Sequence, residues 1–195
     1  MPHFFAQFRQ MGNIWIRHDT RIYLSDFNDT RPAGRCLGAI VGKNPGSAKA
    51  ASEDWGTLRL DGDKMLPNVR NILVQAFARA GKTPPPDAYF QVLNLFYLCG
   101  QDLAEATAAL AAENNAHADP AESGSFPIVW FAWGGPSRQL DSLKDRFLSR
   151  QFAHAFYYSP VSGSVVTSIP SKTVLAKHPQ GLPHEPLIAH FAALL

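Results

Sequence analysis

The sequence predicts an α/β domain: a three-layer sandwich with a mostly parallel central sheet, preceded by an N-terminal β-hairpin. Three observations predict it. Short β-rich apolar runs alternate with stretches at helical spacing, the pattern of a layered α/β domain. The apolar run Leu37-Gly38-Ala39-Ile40-Val41 passes directly into the turn Gly42-Lys43-Asn44-Pro45-Gly46, as a buried strand entering a loop would. At 195 residues, with 46% hydrophobic and 17% charged side chains, the chain can bury one core and reads as a single domain over 1–195.

The elements follow in order. Residues 13–18 and 21–27 are rich in β-formers around His18-Asp19-Thr20, which predicts the hairpin. Residues 29–35 form a polar loop, and 36–41 the first buried strand. Residues 47–63 read as a long polar loop around Asp54-Trp55-Gly56-Thr57, and loops of that length are often functional. Val69, Ile72, Leu73, Ala76 and Phe77 lie at helical spacing, so 64–80 is a helix stopped by Gly81. Pro84-Pro85-Pro86 is a stiff linker, and 89–98 an apolar strand interrupted by Asn94. The Ala-rich segment 101–118 reads as a helix, 117–124 as a surface loop, and 127–133 as a strand ending at Gly134-Gly135. Pro136 suits the first turn of a helix running to about residue 152. A strand at 155–158, a Ser/Gly/Pro-rich stretch at 159–171, a short apolar piece at 174–176 and a helix at 185–195 complete the chain.

Composition excludes several functions. The net charge is +2, with no basic stripe of the kind that drives strong non-specific nucleic-acid binding. No apolar run is long enough for a membrane span, and residues 1–6 lack the form of a signal peptide. Cys36 and Cys99 are far apart beside apolar segments, which predicts buried free thiols in a reducing cytoplasm. Two cysteines cannot ligate a four-thiolate iron–sulfur cluster, and the His-x5-His spacing of His178 and His184 is a poor zinc signature. Neither a P-loop, a Gly-x-Gly-x-x-Gly nor a Gly-x-Ser-x-Gly is present, so no cofactor or metal is expected.

Three residues carry the chemistry. Asn44, beside Pro45, either shapes its turn or orients a water; an amide positions but does not act as a base. Asn94, a polar amide in an apolar strand, must be hydrogen-bonded, either to a ligand edge or to a neighbouring loop. His178, before Pro179, is either structural or a donor to a developing oxyanion. Lys43 and Lys49 can add positive charge near the strand end, and the backbone after Trp133-Gly134-Gly135 can meet an anion.

Four segments in order resemble the motifs of the uracil-DNA glycosylase superfamily. Gly42-Lys43-Asn44-Pro45-Gly46 is similar to the Gly-x-Asn-Pro-Gly motif of its mismatch-specific thymine/uracil branch. Val92-Leu93-Asn94 resembles the strand whose Asn reads the uracil edge, residues 129–134 the strand ending in Trp-Gly, and His178-Pro179-Gln180-Gly181-Leu182 the His-Pro-Ser-Pro-Leu loop. The resemblance implies a glycosylase-like fold in which Asn44 positions the attacking water, Asn94 reads the base, His178 stabilises the anionic leaving group and Leu182 fills the stack left by a flipped base. It also places Gly42, Lys43, Pro45 and Gly46 at the substrate. The chain departs from the pattern: Gln180-Gly181 replaces Ser-Pro, Trp55 is the nearest aromatic for stacking, and Gly46 stands where uracil-specific members have a Tyr that excludes thymine. Over most of residues 36–182 the chain also resembles an uncharacterised bacterial and phage family with Asn-Pro-Ser-Thr-Ala, an acidic pair with Thr and Arg, Val-Asn-Leu-Phe, Trp-Gly and His-Pro. The matching residues are Asn44–Ala48, Glu53-Asp54, Thr57, Arg59, Leu93-Asn94-Leu95-Phe96, Trp133-Gly134 and His178-Pro179.

The expectation is therefore a glycosylase-like hydrolase acting on an N-glycosidic bond of a base in DNA or a nucleoside. Two alternatives stand beside it. One is a nucleotide- or modified-base-binding protein without hydrolysis, for which Glu53, Asp54, Thr57 and Arg59 supply extra charged groups. The other is a different hydrolase on the same fold, with Asp54 or Glu53 as general base. The expected partner is nucleic acid, a nucleotide or a base, and no membrane.

Overall fold

A computed structural model describes residues 3–11, 14–27, 33–46, 48–50, 54–99 and 118–195, with only the backbone of Met11, Ile14, Lys49, Ala50 and Asp54. The described strands are β1 (Phe4–Met11), β2 (Ile14–Tyr23), β3 (Arg35–Gly42), β4 (Lys49–Ala50), β5 (Asp54–Arg59), β6 (Ala88–Asn94), β7 (Ile128–Phe131), β8 (His154–Ser159) and β9 (Ser164–Val166). The helices are α1 (Met65–Arg79), α2 (Asp141–Leu148) and α3 (His184–Leu194), with 3-10 turns at Pro120–Ser123 and Arg138–Leu140. The strands form one sheet in the order β4-β5-β1-β2-β6-β3-β7-β8-β9.

The α/β class holds, but the sheet is mostly antiparallel rather than mostly parallel. Five of its pairings are antiparallel (β1 with β2 and β5, β2 with β6, β4 with β5, β8 with β9) and three are parallel (β3 with β6 and β7, β7 with β8). The reason is local. The N-terminal hairpin does not precede the sheet; β2 docks along β6 and continues it. Segments read as loops supply β4, β5 and β9, which extend both edges.

Alternation along the central strands divides the core into two layers. Ile40, Phe90, Val92, Trp130, Phe156 and Tyr158 face one side, with α1 and α3; Ala39, Val41, Leu93, Val129, Phe131 and Tyr157 face the other, with α2. Successive strand residues point to opposite faces, so both faces of these strands are covered and nearly every position is apolar. On α1, Val69, Ile72, Leu73, Ala76 and Phe77 form the buried stripe; each large apolar side chain so buried contributes about 1.5–3 kcal/mol. The helix ends at Gly81 (φ 66), where Gly81 N donates to Ala78 O at 3.1 Å and Lys82 N to Phe77 O at 3.0 Å. These two bonds satisfy otherwise orphaned last-turn carbonyls, and a residue with a Cβ would be strained there.

Several boundaries move. His18-Asp19-Thr20 lies inside β2 rather than at a turn; Asp19 takes a left-handed φ of 43°, and its carboxylate accepts from Arg21 Nε at 2.8 Å. The strand read at 89–98 stops at Asn94, because the next amides turn onto the end of β3: Leu95 N donates to Gly42 O and Phe96 N to Lys43 O. Pro136 does not open a helix; α2 starts only at Asp141, after the 3-10 turn. The helix expected at 101–118 lies, but for its last residue, outside the described residues. Among the described residues no helix is long and apolar enough to cross a membrane.

Candidate functional site

The four parallel strands stand in the order β6-β3-β7-β8. Chain order therefore reverses between β3 and β7, and α1 and α2, which follow those strands, cover opposite faces. In open α/β sheets ligands bind beyond the carboxyl ends of the strands at such a reversal. The loops leaving that point are Lys43–Gly46 and Ala132–Gly135.

Asn94 ends β6 beside this opening and is fully buried. With its carboxamide turned so that both ends meet complementary groups, its amide nitrogen donates to Asn44 O at 3.2 Å and Leu93 O at 3.3 Å. The carboxamide reaches so close to β3 that a Cβ at residue 42 would lie 2.9 Å from it, so Gly42 is required by this approach. The Asn94 backbone is tied as firmly. Its N–H donates to Tyr97 Oη at 3.3 Å, Tyr97 Oη donates to Glu122 Oε1 at 2.7 Å, and Arg146 Nη2 donates to Leu95 O at 2.9 Å and Glu122 Oε1 at 3.2 Å. Burial pushes the Tyr97 hydroxyl well above its ordinary pKa, with the Glu122 and Asp119 carboxylates adding to it, so it stays protonated. The Asn94 amide nitrogen thus bonds the neighbouring loop, through Asn44 O.

Asn44 is half-buried, and its Nδ2 donates to Pro45 O at 3.1 Å. Pro45 is buried beneath the turn. Lys43 leans across the reversal, its Nζ 3.7 Å from where a Cβ would stand at Gly134 (φ 87).

His178 reaches the same end of the sheet by a different route. Gly134 and Ala176 exchange backbone bonds at 2.8 and 3.1 Å, and Lys177 N donates to Tyr158 O at the end of β8. The half-buried imidazole accepts from Gln180 N through Nδ1 at 3.3 Å, which leaves the proton of the neutral ring on Nε2. Burial lowers its pKa; Asp63 acts against that shift and Lys43 with it.

Two residues that sequence reading passed over join this cluster. Asp63 Oδ1 accepts from Met65 N at 2.8 Å and Leu66 N at 3.3 Å, capping α1, while its Oδ2 is buried and has no hydrogen-bond partner among the described residues. A Cβ at Gly46 would stand 2.7 Å from that Oδ2. Arg17, in β2, is fully buried; its Nη1 donates to Ala48 O at 3.4 Å, and Nε and Nη2 have no partner among the described residues. Burial lowers the Arg17 pKa, against the opposing pull of Cys99 and Asp63. An Asp just ahead of a periodic apolar stretch is a cap signal that marks Asp63 from sequence. Arg17 gave no such signal, since its burial depends on β2 docking against β6.

The other expected site residues fall elsewhere. Trp55 stacks on Phe5 (5.7 Å between centroids, 16°) beneath Arg21, in an aromatic cluster with Tyr23 and Phe27. Leu182 is buried in the core shared by α1 and α3, so no wedge is displayed at the surface. The turn before it leaves only Gln180 and Gly181 exposed, and an apolar residue following them is drawn inward. Arg59 is exposed on β5, in register with Lys49. Asp54 opens β5 opposite Phe8, but its side chain, like Ser52 and Glu53 entirely, lies outside the described residues. Among the described residues no three His, Cys, Asp or Glu side chains gather to hold a metal ion.

Compared with models of protein families, with curated proteins and with solved structures, the chain matches none.

Proposed function

We propose that this chain is a glycosylase-like hydrolase that cleaves an N-glycosidic bond of a base in DNA or a nucleoside. One observation carries the reading. At the strand-order reversal, the Asn44 loop leaves β3, and the segment carrying His178, an imidazole with Nε2–H as donor, is tied to the β7 loop through Ala176 and Gly134 and to the end of β8 through Lys177 and Tyr158. N-glycosidic cleavage needs a held water on one side of the anomeric carbon and a donor to the anionic base on the other. Asn44 holds the water by positioning, and a neutral His178 donates to the leaving base without first giving up a proton. The parallel order β6-β3-β7-β8, covered by helices on both faces, supports the glycosylase-like form of the fold. The free thiols Cys36 and Cys99 suit a reducing compartment.

The test is base release from duplex DNA carrying uracil, a thymine mismatch or hypoxanthine, and from the corresponding nucleosides. Release by the wild type, with loss of about 100-fold or more in Asn44→Ala and in His178→Ala, is the expected result. No release from any of these substrates removes the proposal.

A specific observation favours a second reading, a protein that binds a base or nucleotide and leaves it intact. The Asn94 amide nitrogen is engaged by the Asn44 carbonyl, so that end of the carboxamide is not offered to a base edge. A base or nucleotide that raises the melting temperature and is recovered unchanged supports this reading against hydrolysis.

A further inference from the structure

The hydrolytic reading lacks a base, since the Asn44 amide takes no proton at neutral pH. We infer that Asp63 is that base: its Oδ2, beneath the Asn44-Pro45-Gly46 turn, accepts the proton of the attacking water. The inference rests on the glycosylase reading above.

Capping explains only half of the Asp63 carboxylate. Oδ1 takes both helix amides, Met65 N and Leu66 N. Oδ2 is buried and accepts nothing from the described residues. A buried carboxylate oxygen without a donor is costly, and an Asn would cap the helix equally well. The unspent oxygen faces the loop that carries Asn44, close enough that residue 46 has no room for a side chain. The charges of Asp63 and Arg17 act on each other, that of Asp63 acts on His178 from the segment before α3, and that of Lys43 from the β3 loop acts on His178 in turn. Arg17, His178 and Lys43 are donors. Asp63 is the acceptor beside Arg17 and His178, and two of the Arg17 guanidinium nitrogens have no partner among the described residues.

The step balances. A water O–H bond breaks and its proton passes to Asp63 Oδ2. The water oxygen bonds to the anomeric carbon as the C–N bond breaks. The C–N electron pair leaves with the base, whose charge meets His178 Nε2–H. The proton on Asp63 then returns to solvent.

Asp63→Asn isolates the charge, because Asn keeps the cap while removing the base. The full chain and this variant are compared in base release from uracil-, mismatch- and hypoxanthine-containing duplexes, in urea unfolding, and in NMR titration of the His178 ring. The expected result is a fall in release of about 100-fold or more, a urea midpoint lowered less than that of Asp63→Ala, and a further lowering of the His178 pKa as the opposing carboxylate is lost. Asp63→Ala loses the cap as well and is destabilised, which shows that the Asn variant reports the charge and not the fold. Release at the wild-type rate by Asp63→Asn, or a His178 titration that does not move, overturns the inference alone. Absence of release by the wild type overturns the glycosylase reading and this inference together.

Discussion

On the β6 side of the Asn44 loop, polar groups are tied to one another. Asn94, Tyr97, Glu122 and Arg146 exchange bonds, and the Asn94 amide holds the loop itself. On the α1 side, buried polar atoms stand without partners among the described residues: Arg17 Nε and Nη2, and Asp63 Oδ2. The contrast separates scaffold from site. Buried groups that are bonded fix a geometry, whereas buried groups held without partners are costly and are maintained where something else is to meet them. Asn94, the residue whose chemistry looked most like base recognition, falls on the scaffold side. Asp63, which looked like the end of a loop, falls on the other.

The largest break in this contrast comes from Asn94→Ala. It removes the amide that satisfies Asn44 O and Leu93 O in a fully buried place. A loss of about 3 kcal/mol is expected in urea unfolding, from the unsatisfied carbonyls and the space left behind. A loss below about 1 kcal/mol would mean that Asn94 is not a brace. Gly42→Ala attacks the same brace from β3. Its Cβ would meet the Asn94 carboxamide at 2.9 Å, and because that group is pinned on both sides, about 2 kcal/mol is expected from displacement. The double variant should cost less than the sum, since both act on one contact.

Acid separates the two sides by sign. Asp119, beside Tyr97 and Glu122, is pushed up to about 6, chiefly by burial. Its folded form holds the proton more tightly than the unfolded chain, so its contribution is present below about pH 4 and is lost as pH rises to about 6. His178 is shifted the other way. Its folded pKa lies below the unfolded 6.5, so its contribution is present above pH 6.5 and is lost as pH falls from there through the folded value. Urea midpoints of Asp119→Asn and His178→Gln, taken from pH 4 to 8, should diverge from the wild type in opposite directions. Parallel curves for all three proteins would remove the distinction.

The central strands were legible because burial on both faces leaves continuous apolar runs, as in residues 37–41 and 127–133. So was α1, whose stripe and Gly81 stop are local signals. The antiparallel majority was not legible. That β2 pairs with β6 is decided by contact between residues some 70 positions apart, such as Thr20 with Val92, and no local pattern encodes it. The site was half legible. Asn44, Asn94 and His178 announce themselves as polar residues at strand ends or in turns. Which of them is spent on the fold depends on where their amides and rings point, and Arg17 becomes buried only once the sheet is assembled.

The smallest expected effect sharpens the contrast most. Arg17→Met replaces a fully buried guanidinium that makes one long bond, to Ala48 O at 3.4 Å, with an apolar chain of similar length. On the scaffold side, the equivalent change at Arg146 strands Glu122 and the Leu95 carbonyl and costs about 2 kcal/mol or more. At Arg17 the desolvation of the charge is removed and little bonding is lost, so stability is expected to stay within about 1 kcal/mol of the wild type or to rise. Activity should fall even so, because the charge of Arg17 acts on Asp63 and the substitution removes it from beside the proposed base. A large loss of stability in Arg17→Met would assign the guanidinium to the scaffold. A stable variant with wild-type activity would detach Arg17 from Asp63 and leave the buried cation without a task.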